Sequence, residues 1–216
     1  MHPTCFNPRC NRCPRLAEFL RKVRKSYPAY HARPVPAFGD TRARLLIVGL
    51  APGLHGANAS GRPFTGDYAG ILLYRTLHKF GFASAPESIA TSDRLQLLDC
   101  RITNAVKCVP PQNKPSGNEI ATCNRYLRAE LAKLPTNAVI LALGRIAHES
   151  VLRALELKPS RFAFHHGAVH RLDMHSTLLD SYHCSRYNTQ TRRLTPAMFE
   201  KVVAGARRYL DDLEHA

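Results

Sequence analysis

The sequence predicts an α/β fold with a parallel sheet covered by helices on both faces, and three observations carry that prediction. Apolar runs at Leu45-Leu46-Ile47-Val48 and at 137–144 are short and rich in branched residues, as strands buried on both faces require. A succession of strand, turn and amphipathic helix recurs along the chain without an internal sequence repeat. The length, 216 residues, suits one domain with one core.

Taken in order, residues 1–13 form a cysteine-bearing arm of a single domain spanning 1–216. From Pro14, which suits a first helical turn, Leu16, Phe19, Leu20, Val23 and Tyr27 form an apolar stripe opposite a basic face. Pro28, Pro34 and Pro36 turn the next stretch into a surface connection. The strand at Leu45 runs directly into a loop carrying Gly49, Gly53, Gly56, Gly61 and Gly66, stiffened by Pro52 and Pro63. That loop ends at a lone carboxylate, Asp67, and a helical pattern through Leu72, Leu73, Leu77 and Phe80 follows as far as Gly81. Asp67 therefore sits near a helix start at the mouth of a strand-loop-helix unit, where open α/β sheets bind ligands.

Residues 82–100 are mixed, with Leu95, Leu97 and Leu98 closing a short helix or entering a strand. A strand over 101–108 runs into the rigid loop 109–115. The helix over 118–134 places Ile120, Cys123, Leu127, Leu131 and Leu134 on one face, which turns Cys123 inward. A buried strand over 137–144 and a helix over 145–157 come next. His165, His166, His170 and His175 lack compact ligand spacing and read as scattered surface residues rather than a metal site. A last strand over 176–182 delivers the segment His183–Thr189, and a helix from Pro196 closes the domain with Phe199, Val202, Ala206, Tyr209 and Leu213.

Charge narrows the function. With 31 Lys and Arg against 16 Asp and Glu, the chain carries +15, which points to a polyanionic partner such as nucleic acid. No segment approaches the roughly 20 apolar residues of a membrane span, and the basic N-terminus has no apolar stretch behind it, so the expectation is a cytosolic, reducing compartment. Seven cysteines there are read for metal rather than for disulfides. Cys10 and Cys13 form a C-x-x-C, Cys108 and Cys123 a second pair, and Cys5 is a possible substitute ligand; Cys100 and Cys184 read as small strand or loop residues.

The glycine-rich loop invites a nucleotide reading, which fails residue by residue. Gly56 and Gly61 have the phosphate-loop interval, but Arg62-Pro63 follows in place of Lys and Ser or Thr. Pro52 interrupts the dinucleotide pattern, so no nucleotide cofactor is expected.

GLAPGLHGANASGRPFTGDYAG, the strand bearing Asn104, and SYHCSRYNT together resemble the family 5, or B-type, uracil-DNA glycosylases. The resemblance covers most of the chain, because three separated motifs and the cysteine pattern agree in order. It implies a three-layer α/β/α sandwich around a four-stranded, mainly parallel sheet. It also implies a [4Fe-4S] cluster on Cys10, Cys13, Cys108 and Cys123 with a structural role, although zinc would accept the same sulfurs and spacing alone does not separate the two.

The implied activity is monofunctional. A base-removing enzyme flips its nucleotide out of the stack, reads it, and cleaves the N-glycosidic bond while positive charge develops on the sugar and negative charge on the base. By resemblance Phe64 stacks on the flipped base, unless it is a core residue; Asn104 reads the base edge; and His183 stabilises the departing base. Asp67 orients water and stabilises the cationic sugar, although a helix cap explains its place equally. The backbone of Leu50, Ala51 and Gly53 lines the pocket. Ser185, Arg186, Tyr187 and Asn188 approach the DNA, with Arg62 and Lys107 as phosphate contacts or solvated charges.

One departure concerns water. Related families carry an acidic or amide side chain near the position of Leu50, where this chain is apolar, so water activation comes from elsewhere or matters less. The resemblance also implies substrates beyond uracil, such as hypoxanthine and bulky pyrimidine adducts. The expected enzyme is a nucleoid-associated monomer that leaves an abasic site in uracil-containing DNA. The alternative is a non-catalytic, metal-stapled nucleic-acid-binding module, which leaves Asp67, Asn104 and His183 without a shared task.

Overall fold

The computed structural model describes residues 6–172 and 176–212, so the expectations placed on Cys5, His175 and Leu213 lie outside the described residues. Its centre is a six-stranded sheet in the order β1-β3-β2-β4-β6-β5. Four strands are mutually parallel: β2 (Leu45–Gly49), β3 (Cys100–Asn104), β4 (Ala138–Leu143) and β6 (Ser176–Ser181). These are the four that apolar patterning predicts. The expected count of four is corrected by two short antiparallel edge strands, β1 (Phe38–Gly39) and β5 (Val169–Arg171). They escape the pattern because β1 has two residues in a proline-rich connection and β5 alternates exposed and half-buried side chains.

Side-chain alternation sorts the sheet into two cores. Leu45 and Ile47 of β2, with Val139, Leu141 and Leu143 of β4, face the helices α3 (Tyr68–Lys79) and α7 (Pro196–Asp212). Leu46, Val48, Ile140 and Ala142 face α4 (Gly117–Leu131) and α5 (Arg145–Ala154). Both faces are buried, which is why these strands read as continuous apolar runs. Removing a side chain such as Leu141 costs about 2–5 kcal/mol through lost burial and the cavity left behind.

A third, smaller core lies beside the sheet. There α1 (Pro14–Ser26) brings Leu16 against Val106, Cys123 and Tyr126, with Cys10, Cys13 and Cys108 at its edge. The α4 helix starts on a reciprocal cap: Ser116 Oγ accepts from the Glu119 N–H at 3.3 Å, and Glu119 Oε2 accepts from the Ser116 N–H at 2.7 Å. The same Glu119 takes two bonds from Arg15 at 2.7 and 2.8 Å, locking α1 to α4.

The β3 strand stops at Asn104 rather than running to Cys108. Ala105 and Val106 donate instead to the carbonyls of Gly49 and Leu50, and the Lys107 N–H points at Cys123 Sγ at 3.3 Å. The chain thus leaves the sheet to build the cysteine cluster. Residues 82–100 form no helix; a single antiparallel bridge joins Ala83 to Leu97. No helix among the described residues is long and apolar enough to cross a membrane.

Candidate active site

The C-terminal ends of all four parallel strands open into one cavity of about 670 Å³. Leu50 and Ala51 follow β2, Asn104 ends β3, Gly144 follows β4, and Tyr182 and His183 follow β6. This is the crevice where parallel sheets hold ligands. All seven residues expected around the base line it: Leu50, Ala51, Gly53, Phe64, Asp67, Asn104 and His183.

The glycines shape it by making room for side chains. A Cβ at Gly53 or Gly56 would collide with the Asp67 carboxylate, and one at Gly49 would meet the Phe64 ring at 2.8 Å and run into Asn104 Oδ1. The loop therefore wraps protein groups that themselves face the cavity. Phe64 is both core and wall: it is 5 % exposed, packs into the larger core, and lies against the His183 ring with centroids 5.9 Å apart. Its φ of 58° is a conformation that bulky residues hold at a cost of about 1–3 kcal/mol.

Asp67 occupies the N-cap position of α3, yet its carboxylate makes no capping bond there. Its Oδ2 instead accepts the Ala57 N–H at 3.0 Å, at the first residue of α2 (Ala57–Ser60). Burial raises its pKa above the ordinary carboxylate value, and the Ala57 bond lowers it only in part. Asn104 is 3 % exposed, and its side-chain oxygen is buried without a hydrogen-bond partner among the described residues. A buried acceptor left open costs about 1–3 kcal/mol unless a ligand fills it. His183 is pushed down to about 4 by desolvation, so its imidazole is neutral at neutral pH.

The expected DNA-contacting residues divide. Arg186 lines the cavity with its guanidinium 4.8 Å from the Tyr68 ring, and Tyr187 stands 70 % exposed beside it. Both belong to α6 (Arg186–Gln190), a short helix that the sequence pattern does not signal. Ser185 and Asn188 line the cavity too, and the Asn188 amide donates to the His183 carbonyl at 2.8 Å, fixing that loop.

Arg62 and Lys107 are not solvated charges, and neither lines the cavity. Arg62 is buried, donating to Thr65 at 2.7 Å and to Asp93 at 2.5 Å, and Lys107 is buried against Glu130 at 2.9 Å. Each charge is consumed by a partner distant in sequence, which no local pattern reveals. Two arginines passed over by the sequence reading take their place at the cavity: Arg145, 5.7 Å from the Phe164 ring, and Arg193, 4.6 Å from the Tyr182 ring. Arg145 could have been found, since it directly follows the glycine at a strand end.

Cys10, Cys13, Cys108 and Cys123 gather in the third core, each touching it from a different segment or turn. Burial first, then the neighbouring thiols, raise the pKa of Cys108, and burial pushes Cys123 up to about 11. Ala51 packs on this group and also lines the cavity, so the cysteines sit directly behind one wall. Cys100 and Cys184 are buried in the main core, away from the set.

The histidine-rich stretch is not a scatter of surface residues. His165 is exposed, but His166 accepts the Tyr182 N–H at 3.2 Å and His170 turns inward to Asp180 at 3.1 Å.

Comparison with known proteins agrees with this geometry. Residues 36–207 match the family model of the uracil DNA glycosylase superfamily. The chain is similar to a type-5 uracil-DNA glycosylase of Thermus thermophilus, 48% identical over 92% of this chain and 93% of the relative. A type-5 uracil-DNA glycosylase of Mycobacterium leprae is 42% identical over 92% and 90%. A type-4 uracil-DNA glycosylase of Saccharolobus solfataricus is 27% identical over 87% and 83%.

Proposed function

The chain belongs to the uracil-DNA glycosylase superfamily, and from that premise we propose how its strand-end cavity excises a base. It is a DNA glycosylase, a hydrolase that removes uracil in DNA repair. The observation that carries the site assignment is that Asn104, with a buried acceptor unpartnered among the described residues, and a neutral His183 line the same strand-end cavity.

The target nucleotide rotates out of the duplex into the cavity, where Phe64 stacks on the base. Uracil presents an N3–H donor between two carbonyls. Asn104 Oδ1 accepts that hydrogen while its amide donates to the adjacent carbonyl, so the vacant acceptor is filled only by a base with a donor there. As the glycosidic bond lengthens, negative charge grows on the departing base, and the neutral imidazole of His183 donates a hydrogen bond to it. The Asp67 carboxylate, with one backbone donor and little solvent, stabilises the cationic sugar and orients the attacking water. The apolar wall at Leu50 leaves this task to Asp67 alone and fits a dissociative cleavage. Arg145, Arg186 and Arg193 take the phosphates around the mouth, and Tyr187 meets the duplex beyond the rim.

A cavity of about 670 Å³ supports the broader set of substrates, hypoxanthine and bulky pyrimidine adducts among them. Cys10, Cys13, Cys108 and Cys123 would hold a [4Fe-4S] cluster that ties the N-terminal arm to the loop after β3. Zinc would accept the same four thiolates. The protein acts as a single-domain cytoplasmic monomer at the nucleoid.

The test is incubation with uracil-containing duplex, then alkali. Strand breaks at uracil that appear only after alkali are expected. No alkali-labile site with uracil or any other deaminated base would refute the proposal.

A further inference from the structure

Behind the outer wall of the cavity, side chains from three elements meet on one carboxylate. Asp180 of β6 is fully buried; its Oδ1 lies 2.8 Å from His148 Nδ1 on α5, and its Oδ2 lies 3.1 Å from His170 Nε2 on β5. The other ring nitrogen of His148, Nε2, lies 2.9 Å from the carbonyl oxygen of Phe162. A carbonyl only accepts, so that nitrogen carries a hydrogen; an ionised carboxylate only accepts, so Nδ1 carries one as well. Both Asp180 oxygens, both His148 nitrogens and His170 Nε2 are then paired when His148 is an imidazolium, Asp180 a carboxylate and His170 a neutral donor, and the buried unit has no net charge. A divalent ion would also relieve two facing acceptors. Metal bonds of about 2.0–2.1 Å in a tetrahedron, however, hold ligand atoms roughly 3.4 Å apart. The observed 2.8 Å is instead the length of a charge-assisted hydrogen bond.

The α5 helix, the arm before β5 and the chain leaving β6 also build the wall. The α5 helix opens with Arg145, Ile146 and Ala147 on the cavity, directly before His148. The arm containing Phe162 carries Phe164, which lines the cavity and meets the His148 ring edge-on at 5.6 Å. From Asp180 the chain runs three residues on to His183. Backbone bonds reinforce the tie: the Gly167 N–H donates to the Asp180 carbonyl at 2.8 Å, and the Asp180 N–H donates to the Ala168 carbonyl at 3.0 Å.

We propose that Asp180, held between a doubly protonated His148 and a neutral His170, is a positioning residue that sets the outer wall of the base pocket. It controls the rate of base release rather than the affinity for DNA. The proposal rests on the reading of this cavity as the base pocket. It is distinct from the metal reading, which the same three residues would support only at wider spacing.

The isosteric variant separates the possibilities. In Asp180→Asn the side-chain amide donates to an unprotonated His148 Nδ1, and its oxygen accepts from His170 Nε2. All bonds are kept with both histidines neutral. Asp180→Ala removes both bonds, and His170→Ala, which breaks only the outer half, serves if the alanine variant at 180 does not fold. On the full-length chain at neutral pH, imidazole nitrogen NMR is expected to find two protonated ring nitrogens on His148 in the wild type and one in Asp180→Asn.

Single-turnover uracil release should stay within about threefold in Asp180→Asn, and fall between about ten- and a hundredfold in the bond-breaking variants with DNA affinity unchanged. A singly protonated His148 in the wild type, an Asn variant as slow as the Ala variant, or a bound divalent ion lost on Asp180→Asn would overturn the proposal. A wild type that releases no uracil would refute the base-pocket reading itself, while the proton count still decides the bridge.

Discussion

Replacing Asp67 by Asn separates what this carboxylate does for the fold from what it does for the reaction. The substitution keeps the volume and keeps an oxygen for the Ala57 N–H, 3.0 Å away, but removes the charge. Burial raises the folded pKa of Asp67, so the folded chain holds its proton more readily than the unfolded chain does. Stability is then greatest in acid, falls as pH rises through the unfolded value near 3.9 to the raised folded value, and stays reduced at neutral pH. The Asn variant carries no such cost. It should therefore melt higher than the wild type at neutral pH, with the difference shrinking in acid. The rate moves the other way: a carboxylate about 4 Å from a cationic sugar, at an effective dielectric of about 20, contributes about 4 kcal/mol, or about a thousandfold. Single-turnover uracil release and thermal melts at neutral and acidic pH read the two effects. A variant with the full rate, or one less stable at neutral pH, would refute the assigned role.

Three further outcomes are expected. Because desolvation holds His183 down to about 4, its ring should give the release rate no step near the ordinary 6.5; the fall in acid follows protonation of Asp67, whose pKa burial raises, and of His183 near 4. Fold stability should decline earlier, as pH falls from about 6.5 to about 4, since the unfolded chain takes up the proton first; a step in rate at 6.5 would show a charged ring at work. Arg186→Gln and Arg193→Gln should each lower the dependence of log DNA affinity on log salt by about 0.9. Arg62→Gln should instead leave that slope unchanged and lower stability by about 1–3 kcal/mol through its lost bonds to Asp93 and Thr65, as salt titrations and denaturant melts will decide. Iron removal by a chelator, or Cys123→Ser, should bleach a brown protein and lower its melting temperature, whereas Cys100→Ala should leave the absorbance intact.

What was legible in the sequence follows from which forces are local. The parallel strands declared themselves because burial on both faces demands unbroken apolar runs, and their ends named the site because ligands bind there. His183 is readable for that reason, just past a strand end, whereas Asn104 lies inside the expected strand over 101–108 and is singled out by the resemblance; only the structure ends the strand there. The fates of Arg62 and Lys107 were not readable: each charge is neutralised by a residue more than twenty positions away, Asp93 and Glu130, so composition counted as surface charge what packing had already spent. The histidine-rich stretch misled in the same way, since His170 finds Asp180 only across the β5–β6 pairing. The edge strands were missed because two or three half-exposed residues leave no period to detect.

Base selection in the proposed mechanism rests on Asn104 reading the flipped base. The most direct measurement is single-turnover base release from uracil- and cytosine-containing duplexes by the wild type and by Asn104→Ala, with DNA affinity measured alongside. Release at uracil alone in the wild type, lost by at least about a hundredfold in the variant with affinity retained, is the predicted result. Equal release of uracil by the two proteins would contradict it.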